Sequence, residues 1–295
     1  MGKERYFYML NKKLTKIAIV GSSNAQKKYW KTNLERLVEI LNQRCNMQCQ
    51  ISEYLFEDDN YFGGSGRERG EEINRFFRDE SIDAIFDISG GDIANEILPY
   101  LDYEEIRRSP KPYFGYSDVS TVLNAIYAKT GVHTCNYQLR NLIYEQEEKQ
   151  ITDFNKTFRD GENDLFHIRV QFVQGSYMKG SVIGGNIRCF LKLAGTEYMP
   201  CFDDKILLLE ALNASSWQVA TYLAQLKQLG AFDKINGILL GTFTKLDAEL
   251  GVPCVEELIQ RYAGKDMPVA RTYDIGHGAD AKAIWIGKEV EYKKK

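Results

Sequence analysis

The stretch Lys111-Pro-Tyr-Phe-Gly-Tyr-Ser-Asp-Val-Ser120 decides how this chain is read. It places Ser117 behind a short apolar run and before residues 119–129, which carry Val122, Leu123, Ile126 and Tyr127 at helical spacing. Strand, sharp Gly-Tyr-Ser-Asp turn and helix together make a nucleophile elbow. Such a turn pushes the serine hydroxyl out at the strand's end and frees the next amide, that of Asp118, to bind an oxyanion. The expectation is a hydrolase that works through an acyl-enzyme. A base, an acid that orients it and a second oxyanion donor must then come from elsewhere in the chain.

The flanking sequence predicts an α/β fold. Lys16-Ile-Ala-Ile-Val20 reads as a buried first strand ending in the Gly21-Ser-Ser-Asn-Ala turn, and residues 30–42 as an amphipathic helix with Leu34, Leu37, Ile40 and Leu41 on one face. Gln50-Ile-Ser-Glu-Tyr-Leu55 is a second strand. The loop Phe62-Gly-Gly-Ser-Gly66 leads into a helix over 67–79. Ile82-Asp-Ala-Ile-Phe-Asp-Ile88 is the strongest strand and runs into Ser89-Gly-Gly-Asp92; a helix begins at Ile93 and Pro99 stops it. Strands alternating with helices predict a parallel sheet with ligands at the strands' C-terminal ends.

The charged, weakly periodic residues 145–161 are the linker candidate. They divide the chain into an N-terminal α/β domain over 1–150, a linker over 151–165 and a C-terminal α/β domain over 166–295. In the second part, strands are predicted over 168–173, 205–209, 235–241 and 268–270, and helices over 216–229 and 253–263. Gly184-Gly-Asn186 reads as a turn before a helix.

A length of 295 residues suits about two domains of ~150 residues, and 44% hydrophobic with 27% charged residues is ordinary for a globular protein. A net charge of −3 without a basic stripe gives no reason to expect nucleic acid, and Lys293-Lys-Lys295 reads as a solvated tail. No apolar run reaches the ~20 residues of a membrane span. Met1-Gly-Lys-Glu-Arg-Tyr6 lacks a leader's apolar core, so the expected address is cytoplasmic. The six cysteines read as reduced thiols. Cys45 and Cys49, the one close pair, lack a second ligand pair for zinc, and no metal or cofactor is expected.

Three histidines compete for the role of base. His167 precedes a strand-like run and reads as structural. His133 sits at the far end of the helix after Ser117, ~16 Å away at 1.5 Å per residue. His277 stands between Gly276 and Gly278, a setting that suits a group entering a cleft. Glu210, at the end of Ile206-Leu-Leu-Leu209, is the candidate acid, with a solvated strand end as the plainer alternative. Gly90 and Gly91 suit the second oxyanion donor, because glycine allows close backbone approach. Ser89 is a rival nucleophile, read more simply as a polar residue at a strand–turn junction. Two motifs fail. Gly63–Gly70 matches neither the dinucleotide fingerprint nor a P-loop, and Val119 occupies the second-glycine position of the α/β-hydrolase Gly-x-Ser-x-Gly.

Taken together, these segments resemble the LD-carboxypeptidase and microcin-immunity family of serine peptidases over nearly the whole length. The resemblance rests on Gly64-Ser-Gly-Arg-Glu-Arg-Gly70, Asn74-Arg-Phe-Phe-Arg-Asp79, Gly90-Gly91, Leu98-Pro-Tyr-Leu-Asp-Tyr103, Gly115-Tyr-Ser-Asp118 and Tyr127-Ala-Lys-Thr-Gly131. In the second half it rests on Gly184-Gly-Asn-Ile187, Leu208-Leu-Glu210, Leu226-Lys-Gln-Leu-Gly-Ala-Phe232, Gly237-Ile-Leu-Leu-Gly241 and Gly276-His277. It implies a flavodoxin-like N-terminal domain, a smaller C-terminal α/β domain and a site between them. It also implies a Ser117, Glu210, His277 triad, oxyanion donation near Gly91 and from Asp118, no metal or organic cofactor, and a homodimer.

The family divides between murein tetrapeptides, cut at an L,D-peptide bond, and peptidyl- or aminoacyl-nucleotide amides. Gly90-Gly-Asp-Ile-Ala-Asn-Glu96 looks closer to the microcin-immunity branch. Against that branch, residues 144–182 contain no tryptophan of the kind its members stack on adenine, leaving Phe172 and Tyr177 as replacements, and Thr134-Cys-Asn-Tyr-Gln138 departs from the usual pattern. Gly90, Asn136, Arg140 and Arg188 are the candidate substrate contacts, the arginines for a carboxylate. A non-enzymatic ligand-binding module and an ordinary α/β-hydrolase remain as rival readings at this point.

Overall fold

A computed structural model describes residues 13–58, 62–250 and 253–294. The N-terminal stretch read for a leader, and Lys295 of the basic tail, lie outside the described residues. Twelve strands follow in chain order: β1 (Lys16–Val20), β2 (Gln48–Ile51), β3 (Ala84–Asp87), β4 (Tyr113–Gly115), β5 (Thr134–Asn136), β6 (Gln171–Gln174), β7 (Tyr177–Asn186), β8 (Lys205–Ala211), β9 (Gly237–Phe243), β10 (Val269–Arg271), β11 (Ile284–Ile286) and β12 (Glu289–Lys293). They form two six-stranded sheets, ordered β11-β5-β4-β3-β1-β2 and β12-β7-β8-β9-β10-β6.

In the first sheet β2, β1, β3, β4 and β5 are all parallel, which is the flavodoxin-like order. Because every crossover puts a helix on a face, both faces are buried, and Ala84-Ile-Phe-Asp87 is buried at each position. The predicted helices at 30–42, 67–79 and 119–129 are observed as Lys31–Arg44, Gly66–Arg78 and Ser120–Thr130. Pro99 does not end its helix but lies inside the 3-10 helix Ala94–Tyr100.

The charged stretch predicted as a linker is a helix, Glu147–Phe158. Its inner stripe (Gln150, Ile151, Phe154, Thr157, Phe158) is buried, and Phe158 meets Phe86 and Phe114 edge-on at centroid distances of 6.2 and 5.4 Å. Apart from Asp153 on the buried side, its charges face outward, where Arg44 pairs with Glu148 at 2.7 Å. The chain also returns late to its first sheet, because β11 pairs antiparallel with β5. Lys293 of the predicted tail belongs to β12, which pairs with β7.

In the second sheet β7, β8, β9 and β10 run parallel, with β12 and β6 antiparallel at the edges. The predicted turn at Gly184–Asn186 is the end of β7, and Asn186 caps the short helix Ile187–Phe190. The two sheets share one core. A single apolar cluster runs from Ile73 and Phe77, through Val122 and Ile126, to Leu207 and Leu239. The helix that follows Ser117 is thus packed between the sheets. Among the described residues, no helix is long and apolar enough to cross a membrane.

Candidate active site

β4 ends at Gly115, Tyr116 is extended, and Ser117 adopts φ +54° at the start of the 3-10 helix Ser117–Val119. A left-handed non-glycine residue costs about 1–2 kcal/mol. Such strain persists only where the surroundings over-determine it, and it clusters at functional sites. Gly115 supplies part of that constraint. A Cβ there would lie 2.4 Å from Val119 Cγ1, so only glycine lets the turn fold back this tightly. The Val119 amide donates to the Tyr116 carbonyl at 3.0 Å, closing the turn. The Asp118 amide sits in the first turn of that 3-10 helix, where backbone N–H groups have no partner within the helix.

Gly90 and Gly91 follow β3, the neighbouring strand. A Cβ on Gly90 would lie 4.0 Å from Ser117 Oγ, so the glycine backbone borders the serine directly. Gly91 has φ +131°, and a Cβ there would strike the Asn24 side chain at 2.2 Å. Ser89, the rival nucleophile, has its hydroxyl engaged. It donates to Asp87 Oδ1 at 2.6 Å and accepts from the Ser23 amide at 2.9 Å. Asp87 also accepts from Tyr113 Oη and the Ser22 amide. Burial nevertheless holds its carboxyl above the ordinary range.

The other half of the site comes from the second sheet. Glu210 lies inside β8, paired in register with Asn186 of β7, and its side chain is 2% exposed. It is therefore a buried acid rather than a solvated strand end. Its Oε2 meets His277 Nδ1 at 2.8 Å. That bond sets the tautomer with hydrogen on Nδ1 and leaves Nε2 as the basic nitrogen. Neither Glu210 Oε1 nor His277 Nε2, both buried, has a hydrogen-bond partner among the described residues.

The His277 loop is fixed from behind. Asp274 accepts from the Arg169 amide at 2.6 Å and its guanidinium at 2.9 Å. Burial alone would raise the Asp274 carboxyl, but the Arg169 hydrogen bonds outweigh it and hold the group below its ordinary value. The His277 ring lies 5.4 Å from that of Tyr116, the residue before Ser117. The structure thus brings the elbow and the Glu210–His277 pair together across the two sheets.

The other histidines are elsewhere. His133 follows the far end of the Ser120–Thr130 helix, its ring 6.4 Å from Tyr127, and His167 is exposed beside the 3-10 helix Asp164–Phe166. Asn136 ends β5 and is buried, its Nδ2 3.2 Å from where a Cβ of Gly185 would be. Arg140 lies between two rings, 5.8 Å from Trp30 and 5.4 Å from Tyr116, and donates to the Tyr116 hydroxyl. Arg188 pairs with Asp92 at 2.6 Å and donates to the Gly91 carbonyl at 2.8 Å. Both arginines thus have partners within the chain. Burial raises the Cys45 thiol to about 11 and the Cys49 thiol to about 12.

Sequence reasoning missed what joins the halves. Asn124 bonds reciprocally with Gly184, donating to its carbonyl and accepting from its amide at 2.8 Å each. Ser120 Oγ accepts from the Asn186 amide at 3.1 Å, and Thr121 donates to the Cys189 carbonyl at 2.9 Å. These residues dock the helix after Ser117 onto the end of β7, beside Glu210. The signal was available: Ser120, Thr121 and Asn124 are polar residues in the first turns of a largely apolar helix, all buried. A cavity of about 950 Å³ lies apart from this arrangement, lined by Tyr54, Phe62, Ser65, Glu96 and Tyr100 among others but by none of Ser117, Glu210 and His277.

Comparison with known proteins agrees with this architecture. Models of the LD-carboxypeptidase N-terminal and C-terminal domains match residues 17–137 and 179–292. A putative carboxypeptidase of Vibrio cholerae is 30% identical, with 75% of each chain covered. The microcin C7 self-immunity protein MccF of Escherichia coli is 29% identical, covering 84% of this chain and 81% of its own. The solved structure of MccF in complex with aspartyl sulfamoyl adenosine superposes with a TM-score of 0.81 at 25% identity, covering 97% of this chain and 98% of that one. The chain therefore belongs to the LD-carboxypeptidase family and is a serine-type hydrolase of the carboxypeptidase class.

Proposed function

We propose that Ser117, His277 and Glu210 form the catalytic triad of an amidase whose substrate is an aminoacyl- or peptidyl-nucleotide. The single observation that carries the catalytic reading is the 2.8 Å His277 Nδ1–Glu210 bond beside a strained elbow, with His277 Nε2 buried and unpartnered. Ser117 Oγ attacks the amide carbonyl while His277 Nε2 takes its proton, and Glu210 stabilises the imidazolium. The Asp118 and Gly91 amides receive the oxyanion. His277 then protonates the leaving amine, and water repeats the cycle on the ester. Gly90 leaves room for the acyl group beside Ser117 and Asn136 contacts substrate. In this reading the enzyme is cytoplasmic and, as the family resemblance implies, a homodimer.

The nucleotide branch is supported by the overall likeness to MccF, which has been solved with aspartyl sulfamoyl adenosine. A second reading, removal of the terminal D-residue from a murein tetrapeptide, is favoured by a specific observation. Neither candidate for stacking adenine is placed to do so. Phe172 is buried in β6. Tyr177 begins β7 while Asn186, beside Glu210, ends it, a separation of about 30 Å at ~3.3 Å per residue. Turnover of aspartyl sulfamoyl adenosine and of a murein tetrapeptide by the purified protein separates the two. The nucleotide reading predicts the higher kcat/KM on the first, and the reverse order discards it. Turnover of neither, with no labelling by a fluorophosphonate probe, discards the triad. Light scattering in solution tests the dimer.

A further inference from the structure

We propose that Arg188, backed by Lys192, is a positioning residue that holds the oxyanion loop from the opposite lobe; this rests on the triad reading above. The Gly91–Asp92 peptide is held at both ends. Its carbonyl accepts from Arg188 Nη2 at 2.8 Å, and its N–H donates to Asn24 Oδ1 at 2.9 Å. The same guanidinium pairs through Nη1 with the Asp92 carboxylate at 2.6 Å. One helical turn later, Lys192 donates to the Asp92 carbonyl at 2.6 Å and to the Asp118 carboxylate. Residues four apart share a helix face, so these two cations reach together from the segment after β7 onto the loop after β3 and the residue after the nucleophile.

The loop needs such a hold. Gly91 at φ +131° lies outside the broad minima, and as glycine it has more conformational freedom than any other residue. Its own N–H is the proposed donor; it lies in the preceding peptide, and holding the next one limits the φ and ψ that Gly91 can adopt. Asn24 fixes that peptide from the first lobe, through its amide contact and through the Asn24–Gly90 bridge. Arg188 fixes it from the second, the lobe that also carries Glu210 and His277. The hold therefore sets the oxyanion donor in register with the acid and base, which no contact within the first lobe can do.

Energetics separate positioning from stability. The Arg188 and Asp92 side chains are 42% and 68% exposed, and an exposed pair contributes little to folding. Lys192 is a poorer probe, because its removal deprives the buried Asp118 carboxylate of its cation. The test is Arg188→Ala, Arg188→Lys and a control, Lys129→Ala. The control breaks another exposed pair between the lobes, Lys129–Glu197 at 2.5 Å, at the far end of the Ser120–Thr130 helix.

In Arg188→Ala, the rate of fluorophosphonate labelling and kcat on the better of the two substrates above fall together, by up to about 10²-fold, the effect of a small misplacement at a catalytic group. KM stays within about threefold of wild type, as expected for a loss made in the transition state. Tm stays with that of the control. Arg188→Lys recovers part of both rates. Wild-type labelling and kcat in Arg188→Ala overturn the proposal. So does a loss confined to KM, which would make Arg188 a substrate contact, and so does an equal loss in Lys129→Ala, which would make it general cohesion. A wild-type protein that neither labels nor turns over overturns the triad reading, and this proposal with it.

Discussion

The two halves of the candidate site are held by different means. On the first sheet, geometry is stored in the backbone: Ser117 at φ +54°, Gly91 at φ +131° and Gly115 pressed against Val119. On the second sheet side-chain chemistry carries more of it. Glu210 lies in an ordinary strand and His277 in a loop behind one strained glycine, Gly276 at φ +145°. The two are joined by one hydrogen bond, with one buried acceptor on the acid and one buried nitrogen on the imidazole left open among the described residues. In the proposed mechanism a nucleophile and an oxyanion hole need fixed positions, which strained backbone provides. An acid–base pair needs a fixed tautomer and a free lone pair, which burial and one bond provide.

Ser117 gives the largest expected effect and the sharpest test of this contrast. Ser117→Ala removes the attacking oxygen and retains the left-handed backbone. We expect a kcat loss of more than about 10⁴-fold, the scale seen when a triad serine is removed. Ser117→Gly is equally inactive but relieves the strain, and it should be about 1 kcal/mol more stable than Ser117→Ala in urea denaturation. Equal stabilities would show that the strain is not in this residue.

Glu210→Gln probes the side-chain half. The amide keeps the shape but no longer stabilises an imidazolium and favours the wrong tautomer, so kcat should fall by about 10³–10⁴-fold. Labelling should slow in parallel while the far-ultraviolet circular dichroism stays unchanged. A variant within tenfold of wild type would detach Glu210 from catalysis.

These two residues also show what the sequence made legible. β1 was read to the residue because Lys16-Ile-Ala-Ile-Val20 is an uninterrupted apolar run closed by Gly21. The elbow was legible because its strand, turn and helix are contiguous. Glu210 and His277 were not, because 67 residues separate them and nothing local marks either as the partner of Ser117; the family resemblance chose them. Residues 145–161 read as a linker although they hold the helix Glu147–Phe158, because Gln150, Asp153 and Thr157 are polar residues on its buried side, which weakens the hydrophobic period. The cross-lobe bonds of Asn124 and Arg188 depend on how two sheets dock, which no local pattern encodes.

Gly115→Ala tests the backbone half again with a smaller effect. Its new Cβ would fall 2.4 Å from Val119 Cγ1, and overpacking of this kind costs about 1–3 kcal/mol. Adding Val119→Ala removes the opposing methyl groups and should restore part of that stability. A double-mutant cycle reads the coupling directly. Additive losses would mean that the elbow is not shaped by this contact.

The smallest expected effect is at Tyr116, where the two halves touch. Its ring lies 5.4 Å from that of His277 and, separately, 5.4 Å from the Arg140 guanidinium, whose donated hydrogen its hydroxyl accepts. Tyr116→Phe removes that acceptor and keeps the ring. Arg140 Nε is already buried without a partner among the described residues, and the lost bond leaves a second nitrogen unpaired, so stability should fall by about 1–2 kcal/mol. The His277 ring keeps its neighbour, so kcat should stay within about threefold of wild type. A tenfold fall in kcat at unchanged stability would place the hydroxyl in the chemistry and shift the boundary between the two halves from the Ser117 backbone to the Tyr116 side chain.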